Sequence, residues 1–595
     1  VSTEKYDGRD YEYIYVNNEP VFLSGLLDQG FWEEGVYTAP SEEALKYDIK
    51  AMRDRGFNMI RKHLKIEDPL QYCWADRLGM FVWQDMPHGT YMNAKSNGGE
   101  TPGRAVYEYA LENMLNRDYN HPSVIAVMLF NETWGIDHNG QKASDGMTTN
   151  EWIQHLYYKT KEINPHLLVE DMSPCNNDHI QPTDLNTFHM YPKGYQGSKN
   201  TVADRERNTY PGSANNFWGG FRQESEPWLN SEFGGVAAFD GDYDVSWCFK
   251  YQTDIQRQYE KLNGFVYTEP YDIEYERNGV LTYDRRDKIF GYEDVAYGGD
   301  MTILDLNQPN YVGVDINPAI KAAPGSQYTA PVVAMNWSGE TLENPVLKWR
   351  FDATDIYGNY ITTGKSGEVA LDYAPYTREQ HDISFSLPSQ KCVGTFTVWI
   401  ENNGGKIAKN FVNVIVTNGK DTAPVSILTE DSAVLRQAAA DSNTIQNGVG
   451  AITYSYTLPE GIGADVLNSM RVIVEASSLK DASINHGIDN SAFSQTTVGS
   501  ERPSDMTISI NGHEVGTVYL PDNPRDIRGT LTLTPGEGNG SSAGNYGYLV
   551  NLDIPDSVLE VLKAELAENS TFTVSYSVKE DAENANGLRI YNESN

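Results

Sequence analysis

The chain has 595 residues, of which 39% are hydrophobic, so it is too long for one domain and apolar enough for several buried cores. Its 83 Asp and Glu side chains outnumber 46 Lys and Arg, which gives a formal net charge of −37 at pH 7. Such a charge repels nucleic acid and anionic membranes, and the longest apolar runs are too short to span a bilayer. We therefore expect neither a nucleic-acid partner nor membrane insertion.

Residues 1–20 are predicted to form a strand and a hairpin, the remnant of a preceding β domain. From residue 21 to about 305, short apolar runs alternate with amphipathic segments. Ser41 is a predicted helix cap, and Asp68-Pro69 begins another helix that ends at Gly79. Further helices are predicted over Arg104–Tyr119, 151–163 and Val245–Leu262. The predicted strands begin near Val21, Phe57, Met80, Ser123, Leu167, Leu185, Trp228 and Gly264.

About eight strands with intervening helices, over 21–305, predict an α/β fold of the (β/α)8 TIM-barrel type. The run SVIAVMLF, which begins at Ser123, is apolar almost throughout, as is typical of a parallel strand buried on both faces. A doubly wound sheet is the alternative. It is disfavoured because the first strand is not followed by a glycine-rich phosphate loop.

Beyond residue 305 the pattern changes to short strands and turns with few helix signals. We predict an Ig-like β-sandwich over 306–420, with strands such as Pro345–Phe351 and Gly394–Ile400. A jelly-roll-like β-sandwich over 421–595 has predicted strands that include Met506–Ile510 and Leu531–Leu533. We expect the first sandwich to be structural. The second is expected to be either structural or carbohydrate-binding.

Two glutamates stand at the ends of predicted barrel strands. Glu132 follows the apolar run SVIAVMLF, and Glu232 ends the run that starts at Trp228. In a TIM barrel the carboxyl ends of the strands form the active site, and a buried acid is costly unless it is paired or functional. The structural alternative is a salt bridge at the rim. Two carboxyl groups about 5–5.5 Å apart are what glycoside hydrolysis with retention requires.

An ordered set of motifs over about residues 15–290 resembles glycoside hydrolase family 2, the group of β-galactosidases, β-glucuronidases and β-mannosidases. The matching segments are NNEPVF from Asn17, GFNMIR from Gly56, DRLGMFVW from Asp76, NHPS from Asn120, Asn131-Glu132, SEFG from Ser231 and LTYDR from Leu281. Asn-Glu alone is weak evidence, whereas the ordered set is specific.

The resemblance implies that Glu132 is the general acid/base and Glu232 the nucleophile of a retaining glycosidase. Physically, Glu132 must carry a proton for the leaving oxygen while Glu232 stays ionised. Arg61, at the end of the second predicted strand, is expected to pair with Glu232. Asn131 is expected to hydrogen-bond the sugar 2-hydroxyl.

Further substrate-binding residues are predicted with alternatives left open. In similar family members a tyrosine at the position of Tyr191 touches the nucleophile. Trp134 is expected to stack on sugar, with core packing as the equal alternative. Tyr267 stands where many relatives have a pocket-floor tryptophan. The other candidates are His189, Asp85, His88 and His63, the last one position earlier than the histidine of many relatives.

The stretch just before the LTYDR segment indicates which kind of sugar the site would bind. Glucuronidases of this family carry an Asn-x-Lys pair that holds the sugar carboxylate, and here that stretch begins with Glu276-Arg277-Asn278. Arg277 is an alternative partner for such a carboxylate. Because the pair itself is absent, we expect a neutral sugar, most simply a β-galactoside. The alternatives are a β-glucuronidase, a β-mannosidase, an arabinopyranosidase or an inactive carbohydrate-binding barrel.

No cofactor is expected, because the motifs contain no confident set of metal ligands. The expected partner is a carbohydrate substrate. A homo-oligomer and a missing N-terminal sugar-binding domain are further expectations. The acidic, lysine-poor composition favours a secreted, periplasmic or cell-surface bacterial enzyme.

Overall fold

The architecture was analysed in a computed structural model. It describes residues 2–6, 8–88, 101–133, 136, 138, 140–192, 195–234, 245–274, 276, 278–288, 290–314, 319–355, 358–418, 425–428, 433–436, 444–460, 462–478, 503–520 and 548–591.

The chain begins with two short antiparallel hairpins that lead into the barrel. Their strands are β1 (Ser2–Tyr6), β2 (Arg9–Tyr13), β3 (Tyr15–Val16) and β4 (Glu19–Pro20). Tyr11, Tyr13 and Ile14 are buried, so this segment packs against the rest of the molecule.

Eight parallel strands form a nearly closed barrel. They are β5 (Leu23–Asp28), β6 (Met59–Lys62), β7 (Phe81–Asp85), β8 (Val124–Met128), β9 (Leu168–Glu170), β10 (Asn186–Met190), β11 (Trp228–Gly234) and β12 (Leu262–Thr268). The order around the barrel is β10-β11-β12-β5-β6-β7-β8-β9. Every residue of β5, β11 and β12 is buried, because side chains on both faces meet either the barrel interior or the outer helices.

Helices connect the barrel strands. They are α1 (Glu42–Asp54), α2 (Pro69–Leu78), α3 (Thr101–Arg117), α4 (Thr149–Ile163), α5 (Tyr195–Asn208) and α6 (Val245–Arg257), followed by the short α7 (Tyr292–Val295) and α8 (Leu304–Asn307). The predicted caps are present: the Ser41 hydroxyl accepts from the backbone N–H of Ala44, and Gly79 ends α2 in the left-handed conformation. The prediction that one helix reaches Leu262 was wrong, since α6 ends at Arg257 and Leu262 begins β12.

A first β-sandwich follows the barrel. A three-stranded sheet, β13-β15-β18, packs on a five-stranded sheet, β14-β20-β19-β16-β17. Phe351, Phe396 and Val414 are among the side chains buried between them. The strands are β13 (Asn310–Gly313), β14 (Ala319–Ala322), β15 (Gln327–Asn336), β16 (Val346–Asp355), β17 (Tyr360–Ala370), β18 (Thr377–Ser386), β19 (Cys392–Asn402) and β20 (Gly405–Val416).

A second sandwich contains the sheets β23-β30-β25-β28 and β24-β29-β26-β27, and a separate hairpin, β21-β22, precedes it. The strands are β21 (Val425–Leu428), β22 (Ala433–Arg436), β23 (Thr444–Asn447), β24 (Gly450–Thr457), β25 (Arg471–Ser478), β26 (Ser504–Ile510), β27 (His513–Leu520), β28 (Tyr548–Asp553), β29 (Thr571–Val578) and β30 (Gly587–Ile590). The predicted strand Leu531–Leu533 lies outside the described residues.

The expectation of few helices after the barrel missed α9 (Asp556–Glu568). Leu559, Leu562 and Leu566 are buried on one face of this helix, and their spacing is the pattern that an amphipathic helix requires. The fold class itself is confirmed: a (β/α)8 barrel followed by β-sandwiches. No helix of the described chain is long and apolar enough to cross a membrane.

Buried polar contacts join the barrel to the first sandwich. On α6, the Lys250 ammonium donates to the carbonyl oxygen of Phe411 at 2.8 Å and to Asp254 at 2.9 Å. Asp254 also accepts from the Tyr311 hydroxyl and from the Asn410 amide, each at 2.7 Å. All of these groups are buried, so the sandwich supplies hydrogen-bond partners that this barrel helix needs.

Candidate active site

The two predicted catalytic glutamates meet at the carboxyl-terminal mouth of the barrel. Glu132 lies shortly after β8, and Glu232 lies near the end of β11. One carboxylate oxygen of each lies within 4.8 Å of the other, and a ring nitrogen of His189 lies within the same distance of both. The residues that sequence separates by a hundred positions therefore form one site.

Glu232 is the more enclosed of the pair, with a side chain that is 7% exposed against 22% for Glu132. Its Oε1 lies 3.2 Å from Nη1 of Arg61, and its Oε2 accepts from the Tyr191 hydroxyl at 2.7 Å. Both oxygens therefore face donors. This arrangement suits a carboxylate that attacks as an anion.

Glu132 occupies a left-handed backbone conformation, with φ of 53°, and Thr133 follows at 59°. Neither residue is glycine, so the turn that presents this carboxyl group is strained. Oε1 of Glu132 lies 2.6 Å from Nδ1 of His189. The greater exposure of Glu132 suits a group that must reach both a leaving oxygen and a water molecule.

A chain of hydroxyl groups fixes the His189 ring. Ser173 donates its hydroxyl proton to the Ser231 hydroxyl at 2.7 Å, and Ser231 donates to the carbonyl oxygen of Phe188 at 3.4 Å. The Ser173 hydroxyl, 2.8 Å from Nε2 of His189, is therefore the acceptor of that contact. If the ring is neutral, this network puts its proton on Nε2. Nδ1 is then free to accept a hydrogen bond from a protonated carboxyl group of Glu132.

Arg61 is fully buried and joins four groups at the site. Its Nε contacts both oxygens of Asp85 at 3.1 and 2.9 Å, Nη1 donates to the Ser231 carbonyl oxygen at 2.8 Å as well as to Glu232, and Nη2 donates to Oδ1 of Asn131 at 2.8 Å. Burial lowers the pKa of Arg61, but the carboxylates of Asp85 and Glu232 outweigh it and raise the pKa above its ordinary value. The guanidinium therefore stays charged and orients two site residues at once.

Contacts with Arg61 and His88 fix Asn131 at the site. Its Oδ1 is occupied by Arg61, so the amide orientation leaves the NH2 group as the donor end of the side chain. Its backbone N–H donates to Nε2 of His88 at 2.8 Å. His88 thus holds the strand end that carries Asn131.

Two predicted substrate-binding residues are buried side chains. Asp85 is fully buried beneath Arg61 and also contacts Nδ1 of His63 at 2.8 Å, so it positions these two side chains. Tyr267 is 3% exposed, and its hydroxyl donates to the carbonyl oxygen of Asn278 at 2.6 Å. Its ring packs in the core against Phe249, with 4.8 Å between centroids. The predicted residue Trp134 lies outside the described residues.

Several residues at the mouth were not predicted. Thr268 lies 3.1 Å from the Tyr191 hydroxyl, and Ser173 and Ser231 support His189. Gln29 donates to two further carboxylates, Glu269 and Glu276. Glu269 directly follows β12, so the strand-end rule that found Glu132 and Glu232 would also have found it.

Within the described ranges, one group of His, Cys, Asp and Glu side chains is close enough to hold a metal ion: Glu132, His189 and Glu232. These three residues are the candidate catalytic group itself. The described part of the chain therefore defines no separate metal centre.

The fold and the paired carboxylates point to a glycoside hydrolase. The family model described as "Glycosyl hydrolases family 2, TIM barrel domain" matches residues 9–301. The barrel of this chain is thus similar to the TIM-barrel domain of that family.

Similar proteins carry the names of more than one sugar. The chain is 24% identical over 233 residues to a putative beta-glucuronidase of Formosa agariphila, covering 39% of this chain and 25% of that protein. It is 30% identical over 150 residues to a beta-galactosidase of Lactococcus lactis subsp. lactis, covering 24% of this chain and 15% of that protein. The chain thus spans a quarter or less of the length of these curated relatives.

Among solved structures, a Bacteroides uniformis beta-glucuronidase aligns over 99% of this chain and 67% of its own, with a TM-score of 0.42 and 14% sequence identity.

Proposed function

We propose that this protein is a retaining exo-β-glycosidase that removes a terminal neutral sugar, with β-galactosides as the first candidates. The observation that carries the proposal is the approach of Glu132 and Glu232 to within 4.8 Å at the barrel mouth. Retaining enzymes place their two carboxyl groups about 5–5.5 Å apart, whereas inverting enzymes need about 6.5–9.5 Å to admit a water molecule.

In the first step of the proposed mechanism, Glu232 attacks the anomeric carbon while Glu132 protonates the departing glycosidic oxygen. The bond from carbon to the leaving oxygen breaks as the ester bond to Glu232 forms. Arg61 and Tyr191 hold the attacking carboxylate in place, at 3.2 and 2.7 Å.

In the second step, Glu132 removes a proton from water, and that water displaces the sugar from Glu232 with net retention. The NH2 group of Asn131 is placed to donate to the sugar 2-hydroxyl oxygen. This contact strengthens as charge develops at the ring in the transition state.

The choice of a neutral sugar rests on two observations. The stretch beginning at Glu276 departs from the Asn-x-Lys pair that would bind a sugar carboxylate, and a beta-galactosidase of Lactococcus lactis is among the similar proteins.

The test compares 4-nitrophenyl β-D-galactoside, glucoside, mannoside, glucuronide and α-L-arabinopyranoside as substrates. We expect turnover of at least one, and proton NMR should first detect a product that keeps the anomeric configuration of its substrate. Glu232→Gln should lower kcat by about three orders of magnitude or more. Glu112→Gln, which changes a half-buried carboxylate on α3 that pairs with Lys159, is the matched control and should retain wild-type kcat.

Azide separates the two carboxyl roles. With an activated aryl glycoside, Glu132→Ala should regain turnover with azide and give a β-glycosyl azide, while Glu232→Ala should give the α-azide. Unchanged turnover in Glu232→Gln, or initial release of the inverted sugar, would reject the mechanism.

A further inference from the structure

Two carboxylates beside the catalytic pair share a single amide donor. Nε2 of Gln29 donates to Oε2 of Glu276 at 3.0 Å and to Oε2 of Glu269 at 3.3 Å. Gln29 follows β5 and Glu269 follows β12, and these strands are neighbours in the barrel. The three side chains therefore meet at the same mouth as Glu132 and Glu232.

The two carboxylates differ in their access to solvent. Glu269 is fully buried, and its Oε1 is buried without a hydrogen-bond partner among the described residues. Glu276 is half-buried, and its only hydrogen bond within the described chain comes from Gln29. Glu276 is thus the member of this pair that solvent can reach.

The charges of Glu232 and Glu132 also affect the pKa of Glu276. Burial raises its pKa most, the charge of Glu232 raises it further, Glu132 adds in the same direction, and His63 acts in the opposite direction. A further negative charge beside Glu276 is therefore electrostatically unfavourable. A carboxylate brought in by a substrate would meet the same electrostatic penalty.

The described cations at this end of the barrel are matched by carboxylates of the protein. Arg61 contacts Asp85 and Glu232. Lys62 contacts Asp28 at 3.0 Å and Glu67 at 2.7 Å, and Lys65 contacts Glu67 at 2.7 Å. Arg61, Lys62 and Lys65 therefore each form an ion pair with a carboxylate of the described residues.

We propose that Glu276 determines the sugar class at this site: it hydrogen-bonds a ring hydroxyl of a neutral pyranoside and excludes pyranosides that carry a carboxylate. This inference rests on the proposed glycosidase function. It goes beyond that function by assigning the discrimination between neutral sugars and hexuronides to one side chain. The supporting features are the shared Gln29 donor, the half-buried position of Glu276 and the ion pairs of Arg61, Lys62 and Lys65.

The experiment measures kcat/KM for 4-nitrophenyl β-D-galactoside and β-D-galacturonide, which differ only at C6, and for the corresponding glucoside and glucuronide. Wild type should favour the neutral member of its preferred pair by about a hundredfold or more. Glu276→Gln keeps the size of the side chain and removes the charge, so this preference should fall about tenfold. Glu276→Lys should reduce it further or reverse it.

Glu274→Gln is the matched control in the same loop. Its carboxylate accepts from the Tyr283 hydroxyl at 3.1 Å, and the variant should keep the wild-type preference. Thermal unfolding midpoints of all variants verify that the proteins are folded.

The outcomes separate this inference from the proposed function. If wild type hydrolyses uronides as well as neutral glycosides, or if Glu276→Gln leaves the preference unchanged, the role of Glu276 is rejected while the glycosidase stands. If no glycoside is hydrolysed, the proposed function fails, and calorimetric titration with D-galactose and D-galacturonate decides the inference. Equal binding of the two sugars by wild type would then reject it.

Discussion

Nδ1 of His189 lies 2.6 Å from Oε1 of Glu132. In a neutral ring the hydroxyl of Ser173 accepts a hydrogen bond from Nε2–H, so Nδ1 is the acceptor in its contact with the protonated carboxyl group of Glu132. This contact orients the Glu132 carboxyl group for the proposed proton transfer to the leaving oxygen.

Replacing His189 by alanine should impair proton donation more than nucleophilic attack. We expect kcat/KM to fall about 100-fold for phenyl glycosides, whose leaving group needs the proton, and about 10-fold or less for 2,4-dinitrophenyl glycosides. Steady-state kinetics with both substrates measures the difference. His155→Ala, on the exposed face of α4, is the control. Equal losses with the two leaving groups would contradict this role.

Replacing Tyr191 by phenylalanine removes the hydroxyl that donates to Oε2 of Glu232 at 2.7 Å. The attacking carboxylate should then be less well oriented, and we expect the first step to slow about 10- to 100-fold. The rate of inactivation by a 2-deoxy-2-fluoro glycoside, which traps the sugar on the nucleophile, measures that step directly. Tyr158→Phe, an exposed tyrosine on α4, should react at the wild-type rate. A wild-type inactivation rate in Tyr191→Phe would refute the prediction.

Replacing Arg61 by lysine keeps the charge but loses the planar set of donors. A lysine ammonium cannot contact all four partners of Arg61 at once, namely Asp85, Ser231, Glu232 and Asn131. Both the activity and the stability of the protein should therefore fall. We expect a loss in kcat/KM of about 100-fold or more and a destabilisation of about 2–4 kcal/mol, because buried Asp85 loses much of its partner. Arg207→Lys, on the exposed part of α5, should change neither quantity. Kinetics and urea unfolding measure the two effects.

Glu170, at the end of β9, should make the stability of the barrel depend on pH. Burial raises its pKa from 4.5 to about 8, even though His179 and Arg61 act to lower it. The folded state therefore holds a proton that the unfolded chain releases. The associated stability is fully present below about pH 4.5 and is lost as pH rises towards 8.

Glu170→Gln removes this proton exchange. Between pH 5 and 8 the unfolding midpoint of wild type should fall relative to that of the variant, and differential scanning fluorimetry at a series of pH values tests this. Asp204→Asn, an exposed carboxylate on α5, should follow wild type. Parallel pH profiles for wild type and Glu170→Gln would show that Glu170 does not titrate in this range.

Much of the barrel was predictable because its signals are local. The apolar run before Glu132, the Ser41 cap and Gly79 at the end of α2 each depend on nearby residues. The later helix α9 carries an equally local signal in Leu559, Leu562 and Leu566, and the surrounding strand pattern obscured it.

The site was only partly predictable because many acids satisfy the same strand-end rule. Asp28, Asp85, Glu132, Glu170, Glu232 and Glu269 all lie at or just beyond the ends of barrel strands. Sequence position cannot tell which of them face one another across the mouth. The resemblance to a family selected Glu132 and Glu232 for comparison, and in the structure one carboxylate oxygen of each lies within 4.8 Å of the other.

Helix α6 of the barrel is joined to the first sandwich by the contacts of Lys250 and Asp254 with Phe411, Tyr311 and Asn410. Truncated or recombined proteins would have to keep these contacts. A fragment cut after the catalytic region would leave an ammonium and a carboxylate of one helix facing water or a foreign surface. Chimaeras between relatives should therefore exchange the barrel and its adjoining sandwich as one inherited unit.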